Sequence, residues 1–144
     1  MLSRVARLQL RKMSKQAIFT EAAPRAVGPY SQAIRAGNTL YCSGSVGIDP
    51  ATEKMAEGVE AQTRQSLTNL KAVIEAAGSS MDQVVKTTVL LNDMDDFAVV
   101  NRVYAEFFQQ PYPARACYAV RELPVKAKVE IEAIAICNTS ASAL

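Results

Sequence analysis

The sequence predicts an α+β domain in which two helices cover one face of a mixed sheet. Three observations carry this. A chain of 144 residues, 49% of them hydrophobic, can bury one core and is too short for two domains. Its apolar pattern switches several times between a strand period and a helical period. The resulting order of elements is ββ-α-β-α-ββ.

Residues 31–36 and 39–43 read as short strands joined at Gly37-Asn38, a turn-forming pair. Gly44, Gly47 and Asp49-Pro50 mark a loop. Between Gly58 and Gly78 a helical stretch sets Val59, Leu67, Leu70, Val73, Ile74 and Ala77 on one broad face. Gln62, Arg64, Gln65, Lys71 and Glu75 lie opposite, and Gly78 stands in the C-cap position. Residues 84–91 are β-branched and apolar at nearly every position beyond Lys86, as in a strand buried on both faces. After a break at 92–96, a second helix carries Phe97, Val100, Tyr104, Phe107 and Phe108 on one side, a stripe read as core packing. Asp95 or Asp96 is its N-cap, and Pro111 and Pro113 follow its end. Residues 115–123 and 127–137 form the last two strands, around a turn at Pro124.

Charge divides the chain into a leader, residues 1–16, and a single domain, residues 17–144. The net charge is +2, yet five of the sixteen basic residues (Arg4, Arg7, Arg11, Lys12 and Lys15) precede the first acid, Glu21. Without them eleven basic groups face fourteen acids, and the body carries −3. The first dozen residues are Arg-rich, acid-free and interleaved with Leu2, Val5, Ala6 and Leu8, the pattern of a mitochondrial presequence. A start at Met13 would give a leaderless, cytoplasmic form. The mildly acidic body argues against nucleic acid as a partner, and no apolar run is long enough to cross a bilayer.

The chain has no histidine, which excludes Ser-His-Asp and Cys-His nucleophile systems and any imidazole base or ligand. Acid-base work then falls to carboxylates, Tyr, Lys, Cys or ordered water. Cys42, Cys117 and Cys137 are odd in number and widely spaced, which fits a reducing compartment better than a disulfide framework or thiolate metal site.

Candidate chemistry lies where polar residues interrupt apolar strands. Glu130 and Glu132 alternate with Val129, Ile131 and Ala133, so both carboxylates share one face. This is either an ordinary solvent-facing strand edge or, since Ile134 and Ile136 continue that face, a partly covered one on which a carboxylate is a candidate base or ion-pair partner. Arg115 opens the preceding strand after Pro113, where its planar fork can take a carboxylate bidentately or pair with one of those glutamates. Cys117 shares the face of Arg115 and reads as a small buried hydrophobe rather than a nucleophile. Asp93, Asp95 and Asp96 read as helix-start residues, and Gly44 with Gly47 makes no phosphate loop.

Six segments, in order, closely resemble the RidA family, the reactive intermediate deaminases also called YjgF-type proteins. They are Gly28-Pro29-Tyr30-Ser31-Gln32-Ala33, Ser43-Gly44, residues 85–89, Asn101 with Val103-Tyr104, Pro113-Ala114-Arg115-Ala116-Cys117 and Glu130-Ile131-Glu132-Ala133. The resemblance spans residues 14–137. It implies a chorismate-mutase-like domain assembled as a homotrimeric barrel with a pocket at each subunit interface. It also implies hydrolysis of 2-imino and 2-enamino acids, released by pyridoxal-phosphate dehydratases, to 2-oxo acids and ammonia, with no cofactor and no metal. On the matching motifs Arg115 is the carboxylate anchor and Glu130 orients or activates water, with Tyr30, Ser43, Gly44, Asn101 and Cys117 lining the pocket and Glu132 structural. Ser45 departs from the family's usual Gln, which bears on substrate preference.

A protonated imine is already electrophilic, so an anchor and a placed water suffice without histidine. Two other classes compete: a ribonuclease that inhibits translation, and a non-catalytic module that binds small carboxylates or acts as a chaperone. The acidic body, the missing histidine and the lack of an aromatic-basic stripe weigh against the ribonuclease.

Overall fold

The computed structural model describes residues 14–138. Eight strands and two helices follow one another in the order β1 (Gln16–Ile18), β2 (Ala33–Ala36), β3 (Thr39–Val46), β4 (Ile48–Asp49), β5 (Lys54–Met55), α1 (Gly58–Ala76), β6 (Val84–Leu91), α2 (Phe97–Phe107), β7 (Ala114–Ala119) and β8 (Val129–Ile136). Six strands form one sheet in the order β1-β2-β3-β8-β6-β7, while β4 and β5 make a separate hairpin. Only β6 and β7 pair in parallel, bridged by α2, so the sheet is mixed as expected.

The last strand is central because its alternation fits that place best. Val129, Ile131, Ala133 and Ala135 are buried under the helices, and the two alanines let a helix approach closely. Both helices cover this face, with Leu67, Leu70 and Ile74 of α1 and Val100, Val103 and Tyr104 of α2 in one core cluster. Gly78 ends the α1 segment at φ +78, and the amides of Gly78 and Ser79 donate back to Glu75 and Ile74. A left-handed glycine is the usual solution there.

Several expectations change. Gln62 is not on the solvent face of α1 but buried. Its Oε1 accepts from the Lys128 amide and its Nε2 donates to the Ala56 carbonyl. Asn69 donates to the carbonyls of Val46 and Ile48, and Ser66 and Ser45 exchange hydroxyl-to-carbonyl bonds. This polar row seats α1 on the irregular end of β3, whose backbone would otherwise lack partners. The 84–91 strand is buried on one face only: Thr87, Val89 and Leu91 point under the helices, while Thr88 and Leu90 remain half-exposed. The strand expected over 115–123 stops at Ala119, because its partner β6 ends in register with it at Leu91. The N-cap aspartate is Asp93, which accepts from the Asp95 amide one turn before the helix proper; Asp96 makes no side-chain cap bond.

The leader expected over residues 1–16 lies largely outside the described residues, and β1 already begins at Gln16, paired with Arg35.

Candidate active site

Arg115 sits at the start of β7, beside Thr87 of β6. Its side chain therefore points to the helix-covered face. There α2 presents Phe97, Asn101 and Tyr104, spaced four and three residues apart and so on one helical face. The guanidinium carbon lies 4.8 Å from the Tyr104 ring centroid and 5.7 Å from that of Phe97. Nη1 donates to Asn101 Oδ1 at 2.7 Å. Neither glutamate of β8 pairs with Arg115 among the described residues. With one donor committed to Asn101, the guanidinium keeps others for a carboxylate. A cavity of about 300 Å³ opens beside it, lined by Asn101, Tyr104, Ala105, Tyr112, Pro113 and Arg115.

Glu130 is on the opposite side of the sheet. It pairs with Leu90 and Val46, on the face that carries Thr88, Glu132 and Ile134. Its neighbour is Gly44, where a Cβ would fall 2.0 Å from Glu130 Oε1. The glycine is thus the space that the carboxylate occupies. Burial raises the Glu130 carboxyl above the ordinary glutamate value of 4.5, and the negative charge of Glu132 raises it further. Such a carboxyl is a suitable proton acceptor near neutral pH.

The other candidates divide in the same way. Ser43 belongs to the bulge where β3 shifts register against β8; its hydroxyl donates to the Ser31 carbonyl at 2.6 Å and its amide to Gln32. Tyr30 stands just before β2 with half its surface exposed, its ring against Gly28. Four strand spacings separate β2 from β7, or about 19 Å. Cys117 lies on the Arg115 side in register with Val89. Burial pushes its thiol up and the Arg115 charge offsets this only in part, so it is no thiolate nucleophile. Cys42, pushed up to about 12 by burial and the nearby Cys137, is inert as well. Ser45 faces α1 through its bonds with Ser66. Its departure from the family pattern therefore falls on a packing position rather than in the cavity beside Arg115.

One chain thus keeps the candidates in two separate groups: Arg115, Asn101 and Cys117 by β7, and Gly44 with Glu130 on the open face. Sequence reasoning missed that Phe97 and Tyr104 hold Arg115, having read them as core. The signal lay in Asn101, a polar residue between two aromatics on one helical face.

Residues 20–137 match the family described as Endoribonuclease L-PSP. The chain belongs to this family, which includes the RidA proteins. It is 50% identical to the 2-iminobutanoate/2-iminopropanoate deaminase of Salmonella typhimurium, over 86% of this chain and 98% of that one. With the mouse protein of the same name it shares 49% identity, over 85% of this chain and 91% of that one. Among solved structures, RidA from an Antarctic Psychrobacter superposes with TM-score 0.83 at 50% identity, covering 84% of this chain and 98% of the other. E. coli TdcF with bound serine superposes with TM-score 0.83 at 42% identity, covering 85% of this chain and 99% of that one. The family fold expected from the six segments is therefore the fold observed. Among the described residues no cluster of acidic and thiol side chains is placed to hold a metal ion, and no helix is long and apolar enough to cross a membrane.

Proposed function

We propose that this protein hydrolyses 2-imino acids such as 2-iminobutanoate and 2-iminopropanoate, with their enamine tautomers, to 2-oxo acids and ammonia. The observation that carries this reading is Arg115, held by Asn101 over the rings of Phe97 and Tyr104 with donors free beside an open cavity. The relatives named for this activity support it. So does the serine bound to TdcF, since a 2-amino acid shares the carboxylate and C2 nitrogen of a 2-imino acid.

Arg115 binds the substrate carboxylate through its free N–H groups. Water adds to C2 of the protonated imine and passes a proton to Glu130. In the resulting aminoalcohol the nitrogen takes that proton and leaves as ammonia while the C2 hydroxyl gives its own proton to Glu130 and C2 becomes a carbonyl; ammonia then carries this last proton away as ammonium, and Glu130 is again ionised. Tyr30, Ser43, Gly44 and Cys117 line the pocket.

Arg115 and Glu130 point from opposite faces of the sheet, so both reach one substrate only where two copies meet. The open face carries Tyr41 and Tyr118, each about half exposed, with Leu90, Ile134 and Ile136 partly exposed beside them, an apolar surface suited to such a contact. The assembly is a homotrimer closing into a barrel. Residues 1–12 act as a mitochondrial leader, and a mature N-terminus mapped on mitochondrial protein tests this; an intact Met1 would refute it.

The test of activity is to generate iminobutanoate with threonine dehydratase and follow 2-oxobutanoate. The protein accelerates its formation, and Arg115→Ala loses about 3 kcal/mol of transition-state binding, roughly a hundredfold in kcat/KM. Unaltered acceleration by the variant would remove the anchor. The ribonuclease reading, which the family description keeps in view, predicts instead RNA cleavage insensitive to a 2-oxo acid.

A further inference from the structure

Tyr104 is buried, with its ring under the Arg115 guanidinium and its hydroxyl 2.8 Å from the hydroxyl of Thr87. Thr87 is fully buried in the middle of β6 and lies in register with Arg115 itself. A threonine at an inward position of a strand otherwise holding Val89 and Leu91 has a polar atom to satisfy, and Tyr104 is the partner that satisfies it. The three residues close a loop: sheet hydroxyl to helix hydroxyl, ring face to guanidinium, guanidinium back to the strand beside the first hydroxyl. The Phe108 ring packs against Tyr104 with centroids 4.4 Å apart and adds to the contacts that hold it.

We propose that Tyr104 and Thr87 are positioning residues for the reaction, acting through Arg115. The ring fixes the plane of the guanidinium, and the Thr87 hydroxyl fixes the ring. Arg115 has a long side chain and is itself exposed. Without a platform it loses rotamer entropy each time it grips a carboxylate, and with one that cost is met in folding. This rests on the reading of Arg115 as the substrate-carboxylate anchor. The aromatic face supplies a favourable cation–π contact while leaving the N–H edge free.

The experiment has two readouts. Backbone-independent order of Arg115 is read from the 15N heteronuclear NOE of its Nε–H in the full chain without substrate. The KM and kcat for iminobutanoate are read in the dehydratase-coupled assay. Tyr104→Leu removes the ring; the expected results are loss of the Arg115 NOE and a rise in KM of about tenfold with a smaller change in kcat. Tyr104→Phe and Thr87→Val each remove one end of the hydroxyl pair and keep the ring; each raises KM about threefold, and the double variant is no worse than either single one. Val103→Ala, a buried neighbour facing the core, controls for lost stability and lowers the melting temperature without moving KM or the NOE. An Arg115 NOE unchanged in Tyr104→Leu, or Thr87→Val and Tyr104→Phe effects that add, would overturn the proposal. A wild-type protein that does not accelerate 2-oxobutanoate formation refutes the deaminase reading instead, while the NOE still decides whether Tyr104 orders Arg115.

Discussion

At the scale of single residues the proposed chemistry turns on a carboxyl whose environment differs on folding. Glu130 is half-buried beside Glu132, and both burial and the neighbouring charge hold its proton to higher pH than in the unfolded chain. The folded state therefore binds this proton more tightly. The contribution to stability is present below the ordinary value of 4.5 and is lost as pH rises through the higher folded value. The role proposed for Glu130 runs the other way, because a base must be ionised. The acid limb of kcat/KM lies above pH 4.5, and Glu132→Gln moves it toward lower pH by removing one of the two causes. A pH-rate profile from pH 4 to 8 checks this, and an acid limb at or below that of free glutamate would refute the assignment. Glu130 was legible in the sequence because alternation alone separates it from Val129 and Ile131. The role of Gly44 as the space for its carboxylate was not, since that depends on which residue of β3 sits across the ladder at a bulge.

Between elements, the seat of α1 on β3 and the β4 hairpin decides whether the bulge at Ser43-Gly44 keeps its shape. The contact is close and polar: a Cβ on Gly47 would fall 2.5 Å from Gln62 Cα, a helix backbone atom that cannot yield alone. Gly47→Ala is expected to cost about 3 kcal/mol through overpacking. Gln62→Leu leaves the Lys128 amide and Ala56 carbonyl without partners, at a cost of about 2 kcal/mol. Urea unfolding measures both as a lower midpoint at unchanged slope. In the turn before β8, Val125 adopts φ 50, where a β-branched residue is strained. Val125→Asn is expected to stabilise by about 1 kcal/mol in the same measurement. Hydrophobic periodicity located α1 correctly but placed Gln62 in solvent. A polar residue is buried when it meets backbone groups left over by an irregular strand, and no period in the sequence announces that irregularity. Likewise the pattern of 84–91 gave a strand, while its second face, with Lys86, Thr88 and Leu90, stays open in one chain.

On the proposed reading, that open face is where the whole molecule enters the chemistry. Thr87 and Leu90 lie on opposite faces of β6, and through the ladder they carry Arg115 and Glu130 with them. Two strand spacings, about 10 Å, and the thickness of the sheet separate the anchor from the base, too far for both to hold one four-carbon acid. If the active site is completed between subunits of a cyclic trimer, each site takes Arg115 from one copy and Glu130 from the next. Arg115→Ala and Glu130→Gln proteins are then each reduced to about a hundredth of the activity or less as pure trimers. Every mixed trimer nonetheless contains one interface at which an intact Arg115 faces an intact Glu130. Unfolding and refolding the two variants together in equal amounts gives mixed trimers in about three cases of four, so about a quarter of wild-type activity returns. Were both residues of a site drawn from one chain, no mixture could restore any. The coupled deaminase assay on the co-refolded sample, with each variant refolded alone as reference and the trimer verified by sedimentation, distinguishes the two arrangements: recovery places the reaction between chains, and its absence places both groups in one.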